Sequence, residues 1–148
     1  AIFVRSMEWE RSCLAALHVG QMEQLLGRAT HYARARIIDG KPIAKMQAVA
    51  HKLADMKVRL EASRLLVRQA AIELDRGGST AGMAPSIAKL FVSESLVSSA
   101  LEAVQILGGY GFTAEGDVER MLRDAIGSTL YSGTSEVQRN IIARWMGL

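Results

Sequence analysis

The chain has 148 residues, 49% hydrophobic and 22% charged, with two prolines and a net charge of +3, a composition that suits one globular domain and excludes a disordered or collagen-like polymer. Its single cysteine, Cys13, cannot form an internal disulfide, and His18, His31 and His51 lack the spacing of a structural metal site, so no metal is expected. No apolar run approaches the roughly eighteen residues needed to cross a bilayer, and the opening AIFVRSMEWERS lacks the order of a signal peptide, which predicts a soluble cytoplasmic protein (mitochondrial matrix if eukaryotic) without a membrane span.

From Val4 to Arg34 only Gly20 and Gly27 disfavour helix, so one long helix is expected, with an apolar stripe of Cys13, Leu14, Leu17, Leu25 and Leu26. RIIDGKP breaks it: Gly40 supplies a turn and Pro42 the first turn of a second helix. In that helix Val49, Leu53, Met56, Leu60, Ser63, Val67, Ala70 and Leu74 recur at steps of four and three, the seam of a helix packed nearly antiparallel to a neighbour. DRGGST ends it. A third helix is expected after Pro85, with Ile87, Leu90, Val97, Leu101, Val104 and Leu107 facing inward, Glu94 interrupting the seam, and GGYGF stopping it. A shorter helix follows from about Asp117 to Ala125, and another begins at Thr134 or Ser135, where Ser135 and Gln138 have capping-box spacing. Strand alternation is absent. The fold class is therefore all-α, an up-and-down helical bundle of three long and two shorter helices.

Three features stand out chemically. Glu10 lies three and four residues before Cys13 and Leu14 and seven before Leu17; it is either an acid placed near a helix start by the helix dipole or, buried along that stripe, a general base. The turns Gly108-Gly109-Tyr110-Gly111 and Ser132-Gly133-Thr134 each adjoin a helix end, where backbone either punctuates helices or approaches a ligand closely. Arg34, Arg36, Lys41 and Lys45 form a basic face that is solvated or meets phosphates. With no interleaved aromatics and no nucleic-acid motif, a nucleic-acid partner is not expected.

Taken together, QILGGYGF, VERMLRDA and YSGTSEVQRNIIAR, preceded by an R-x-x-x-G-K turn and LADMKVRLEASR, resemble the C-terminal helical domain of acyl-CoA dehydrogenases over essentially the whole chain. The resemblance implies FAD as cofactor, an acyl thioester of coenzyme A or of an acyl-carrier protein as substrate, an electron-transfer flavoprotein as electron acceptor, and a homodimer or homotetramer. It also implies that residues 1–148 are the last of three domains, the N-terminal helical and middle β domains lying outside this chain.

Most of the family carries its catalytic Glu immediately before Gly-Thr in the final loop, where this sequence has Ser132. The isovaleryl and long-chain branches place it on the first long helix just before an Arg, which corresponds here to Glu10 followed by Arg11. By that resemblance Glu10 is the base, and Arg11 and Ser132 brace the loop. Arg36 reaches the FAD diphosphate and Gln47 its adenosine half across a dimer interface; Gln105, Gly108 and Gly109 form a turn against the neighbouring subunit's cofactor; Thr134 and Glu136 contact FAD from the last loop. Arg123 and Asp124 read as a structural pair. The alternative, favoured by Ser132 and by Asp39 in place of the usual aromatic, is a non-catalytic homologue that keeps the bundle for FAD-bridged assembly.

Overall fold

The computed structural model describes residues 2–77 and 82–148. Three long helices, α1 (Ile2–Ala35), α2 (Gln47–Arg76) and α3 (Met83–Leu107), are followed by a single turn, α4 (Gly109–Phe112), and two shorter helices, α5 (Val118–Ser128) and α6 (Ser135–Trp145). The bundle of three long and two shorter helices is therefore as expected. Of the segment expected to end α2, Gly78 to Thr80 lie outside the described residues; α2 ends at Arg76 because Gly77 adopts φ 63° and folds its N–H back onto the last turn.

The second helix does not begin at Pro42. Asp39 and Gly40, both at positive φ, form a tight turn between two-residue strands β1 (Ile37–Ile38) and β2 (Lys41–Pro42), paired antiparallel as Ile37 to Pro42 and Ile38 to Lys41. Asp-Gly is a strong two-residue hairpin signal, because both central residues of that turn need left-handed backbone. A 3₁₀ turn at Ile43–Lys45 then leads into α2.

The stripe expected on α1 is displaced in part: Leu25 is buried and Leu14 and Leu26 are half-buried, but its other members are not. The buried face of the helix is Ala15, His18, Met22, Leu25, Ala29 and Ala33, while Cys13 is exposed and Leu17 is 66% exposed. Alanines on this face let α1 lie close against α3, the most extensive helix pair in the bundle. α2 follows its expected seam: Met56, Leu60, Ser63, Ala70 and Leu74 are buried, and Val49, Leu53 and Val67 are half-buried. Each large apolar side chain sealed in this way stabilises the fold by about 1.5–3 kcal/mol.

On α3 the expected inward face is largely peripheral: Leu107 is buried as expected, but Leu101 is exposed, and Ile87, Leu90, Val97 and Val104 are half-buried. Ala88, Val92, Leu96, Ala100, Ala103 and Ile106 occupy the centre, together with Ser86, Ser93 and Ser99. α3 is packed by α1, α2, α5 and α6, so it is apolar nearly all round and its core face cannot be picked out by contrast with a polar side. That also gives it, against expectation, a length and mean hydropathy (1.4 over its best window) sufficient to cross a bilayer; half of that window is buried inside the bundle, as befits a core helix.

At the C-terminal end, Arg28 of α1 reaches Asp117 at the head of α5 at 3.1 Å, and Arg120 holds the same carboxylate at 2.8 Å. Arg123 and Asp124 do not pair with each other. One turn of helix separates the true partners, Arg123 with Glu119 and Arg120 with Asp124.

Candidate active site

The loop joining α5 to α6, Thr129–Thr134, crosses the first half of α1. Two consecutive residues of this loop are left-handed, Ser132 (φ 57°) and Gly133 (φ 93°). A non-glycine residue holds that conformation only where its surroundings over-determine it. Here they do. Arg11 Nε donates to the Ser132 carbonyl at 3.2 Å, and the buried Gln138 Nε2 donates to the same oxygen at 3.1 Å and to Gly133 O at 2.9 Å. With its backbone clamped, Ser132 directs its hydroxyl to Glu10 and donates to Oε1 at 2.6 Å.

Glu10 is exposed rather than buried along Leu14 and Leu17, because the face it shares with Cys13 and Leu17 points away from the core. Beside it Arg11 is buried, and that burial pulls its guanidinium below the usual range against the opposing charges of Glu8 and Glu10. A carboxylate open on one side and gripped by a hydroxyl on the other is positioned to accept a proton from a ligand lying over it.

The helix that follows is capped by Thr134, whose hydroxyl accepts from the Val137 N–H at 3.4 Å. The expected Ser135–Gln138 box does not form: Ser135 is already the first helical residue, and the Gln138 amide is spent on the loop carbonyls. Glu136 is exposed in the first turn of α6; its own backbone N–H and the Thr134 hydroxyl hold its carboxyl below the usual range, with Arg139 and Lys89 adding to this.

Beneath the loop lie groups that the sequence did not single out. His18, buried and two turns beyond Arg11 on the same face of α1, is 2.7 Å from the Tyr131 hydroxyl through Nε2. Burial and the neighbouring charge of Lys89 push the imidazole down to about 4. Lys89 is itself buried on α3, and its ammonium has no hydrogen-bond partner among the described residues; burial and then Arg11 lower it, while Glu136 and Glu94 oppose them. A lysine inside an apolar run of α3 was the available signal. His18 and Tyr131 are too far apart in sequence to announce themselves.

The remaining candidates gather at the other end of the bundle. Arg36, Gln47, Gln105, Gly108 and Gly109 are all exposed, and Tyr32 stacks on Tyr110 at 6.1 Å, bringing the Gly108 turn to the end of α1 that carries Arg36. Gly108 combines φ 62° with ψ −139°, a backbone open to glycine almost alone, and a Cβ at Gly108 or Gly109 would meet nothing within 4 Å. Arg36 makes no ion pair among the described residues. An unpaired guanidinium at the same end of the bundle as exposed glycine backbone suits the approach of a diphosphate. From Glu10 to Ala35 the helix advances about 38 Å at about 1.5 Å per residue, so the structure brings Glu10, Arg11, Ser132 and Thr134 together at one end and these five at the other, and does not join the two groups within one chain. Among the described residues no cluster of His, Cys, Asp or Glu could hold a metal ion.

Comparison with known proteins places this geometry. Residues 1–147 match the family model for the acyl-CoA dehydrogenase C-terminal domain. The chain is 44% identical over 147 residues to an L-prolyl peptidyl-carrier-protein dehydrogenase of Pseudomonas fluorescens, covering 99% of this chain and 38% of that protein. Among solved structures, it superposes on the prolyl acyl carrier protein oxidase AnaB with a TM-score of 0.96 at 46% identity, covering 100% of this chain and 39% of that one. It superposes on the FAD complex of PigA with a TM-score of 0.95 at 42% identity, covering 100% and 38%. The chain thus spans less than two fifths of the length of these relatives, one of which, PigA, was solved with FAD bound, and the chain belongs to the acyl-CoA dehydrogenase family as its C-terminal helical domain.

Proposed function

We propose that this domain serves a flavin-dependent dehydrogenase that desaturates an acyl thioester between its α and β carbons, with Glu10 as the base that removes the α proton. The observation that carries the reading is the 2.6 Å hydrogen bond from Ser132 to Glu10 Oε1. In this arrangement the final loop, which lacks a carboxylate of its own, orients the carboxylate of the helix instead. A serine hydroxyl is a poor acceptor for an α proton; here it donates its own proton to Glu10 and so orients the carboxylate. One Oε1 lone pair is occupied, so the remaining carboxylate lone pairs are the ones open to the substrate proton, and Arg11, tied to the Ser132 carbonyl, keeps loop and helix in register.

The residues fit FAD. Arg36 and Gln47 would hold its diphosphate and adenosine portions, Gly108 and Gly109 would lie against it as bare backbone next to Gln105 in the last turn of α3, and Thr134 and Glu136 would approach it from the head of α6. When bound, FAD supplies the acceptor for the hydride that leaves the β carbon. Since the two groups of residues stand at opposite ends of the bundle, a complete site draws on a second copy of the chain, which supports a homodimer or a dimer of dimers. An electron-transfer flavoprotein would be the partner that accepts its electrons. For the substrate, relatives named for prolyl groups on carrier proteins make a carrier-bound prolyl or short acyl thioester the first class to test.

Glu10→Gln keeps the shape and removes the basicity, so in the full enzyme substrate-driven flavin bleaching, followed by rapid mixing, is expected to slow by roughly 10²–10⁴-fold. Bleaching at the wild-type rate would remove Glu10 from the chemistry. If wild type were inert as well, the assembly-only reading, which the serine at 132 favours, would take its place.

A further inference from the structure

His18 is the one buried imidazole of the described chain, and the proton transfer above does not use it. It sits on the same face of α1 as Arg11, and the two side chains reach the same loop on either side of one peptide unit: Arg11 Nε holds the Ser132 carbonyl at 3.2 Å, while His18 Nε2 meets the Tyr131 hydroxyl at 2.7 Å. The rings of His18 and Tyr131 lie 5.8 Å apart at 36°, so the tyrosine leans onto the helix as well as bonding to it. Directly after this anchored tyrosine come the two left-handed residues, Ser132 and Gly133. Strained backbone of this kind survives only under several simultaneous restraints, and the hydroxyl that must meet Glu10 belongs to the first of these residues.

We propose that His18 is a positioning residue for the active-site loop: by anchoring Tyr131 to α1, it fixes the left-handed conformation of Ser132 that presents the serine hydroxyl to Glu10. This rests on the reading of Glu10 as base. The surroundings suit the task. A neutral imidazole can meet the phenol hydroxyl through Nε2 either as acceptor or as donor, according to its tautomer, and a buried site beside the Lys89 ammonium disfavours its protonation. Tyr131 stays protonated for a related reason, since burial and Asp124 both push its phenol up. Two neutral, matched groups therefore hold the loop across the whole working range of pH, without adding a charge next to the base.

The test uses the full FAD-loaded enzyme with three variants, Tyr131→Phe, His18→Leu and His18→Gln, and two readouts. Amide hydrogen exchange over residues 129–134, which needs no turnover, is expected to quicken in Tyr131→Phe and His18→Leu while exchange in α2 is unaltered. Flavin reduction at saturating acyl thioester is expected to slow about tenfold, the equivalent of one hydrogen bond, with the half-saturating concentration unchanged; His18→Gln, which can still bond to the phenol, recovers much of the loss. Should His18→Leu fail to fold, Tyr131→Phe removes a single oxygen from a residue that is already 44% exposed and decides the matter. Wild-type exchange or a wild-type reduction rate in Tyr131→Phe overturns the proposal. Wild-type reduction in Glu10→Gln would instead sink the base assignment, and the exchange measurement keeps the two failures apart.

Discussion

At the scale of single residues, His18 links the site to stability. Its folded-state pKa, about 4, lies below the ordinary 6.5 because of burial and then the Lys89 charge. The unfolded chain therefore takes up a proton between about pH 6.5 and 4 that the native chain refuses, so this contribution is complete above pH 6.5 and is lost as the pH falls to about 4. A shift of that size corresponds to about 3 kcal/mol. The gap in unfolding free energy between wild type and His18→Gln should narrow by an amount of that order over this window, since titrations common to both proteins cancel; a constant gap in urea melts from pH 7 to 4 would contradict the burial of a neutral imidazole. Glu10, Arg11 and Ser132 could be singled out from the sequence because each stands in a short motif. The tether from His18 to Tyr131 could not: its partners are joined only by the path of the chain through three helices, and a histidine in a helix has no local mark of burial.

At the scale of elements, periodicity read α2 correctly because one face of that helix is polar, whereas on α1 and α3 it found only part of the buried face, Leu25 and Leu107, and otherwise chose residues at its margin or on the surface. Alanine and serine carry the close contacts there, and neither registers as strongly apolar: Ala15, Ala29 and Ala33 on α1 and Ala88, Ser99 and Ala103 on α3 are all buried. Asp39-Gly40 carries a hairpin signal that a reading resting on Gly40 as a turn and Pro42 as a helix start does not use. Glycines show which junctions are set by conformation and which by space. Gly77 has positive φ but open surroundings, so Gly77→Ala should cost about 1 kcal/mol. Gly116 presents the opposite case. A Cβ there would lie 2.2 Å from the Tyr110 carbonyl oxygen, so the backbone joining α4 to α5 must move, and Gly116→Ala should cost about 2–3 kcal/mol in denaturant unfolding. Equal losses for the two would mean that the α4–α5 junction yields easily. Because Tyr110 stacks on Tyr32, the same change should disturb the Gly108 turn.

At the scale of the whole molecule, the length of α1 decides how a site can be assembled. Glu10 and the final loop stand at one end of it, Arg36 and the Gly108 turn at the other, about 38 Å away at 1.5 Å per residue. If each FAD is held by the loop of one protomer and the arginine end of its neighbour, then defects placed at opposite ends should complement each other. Arg36→Ala alone should release FAD more readily on dilution, since a charge-assisted contact to a diphosphate is lost, and Glu10→Gln alone should retain FAD but fail to reduce it. In a mixed dimer, one shared site receives both defects and the other receives neither, so about half of the wild-type flavin reduction per dimer should return. Were each site built within a single chain, every site in the mixed dimer would carry one defect and no intact site would form. Co-expression with two affinity tags isolates the mixed dimer, and after dilution the amplitude of its fast flavin-bleaching phase separates the two architectures: roughly half of the wild-type amplitude for the shared site, and no more than the FAD that Arg36→Ala alone retains for the self-contained one.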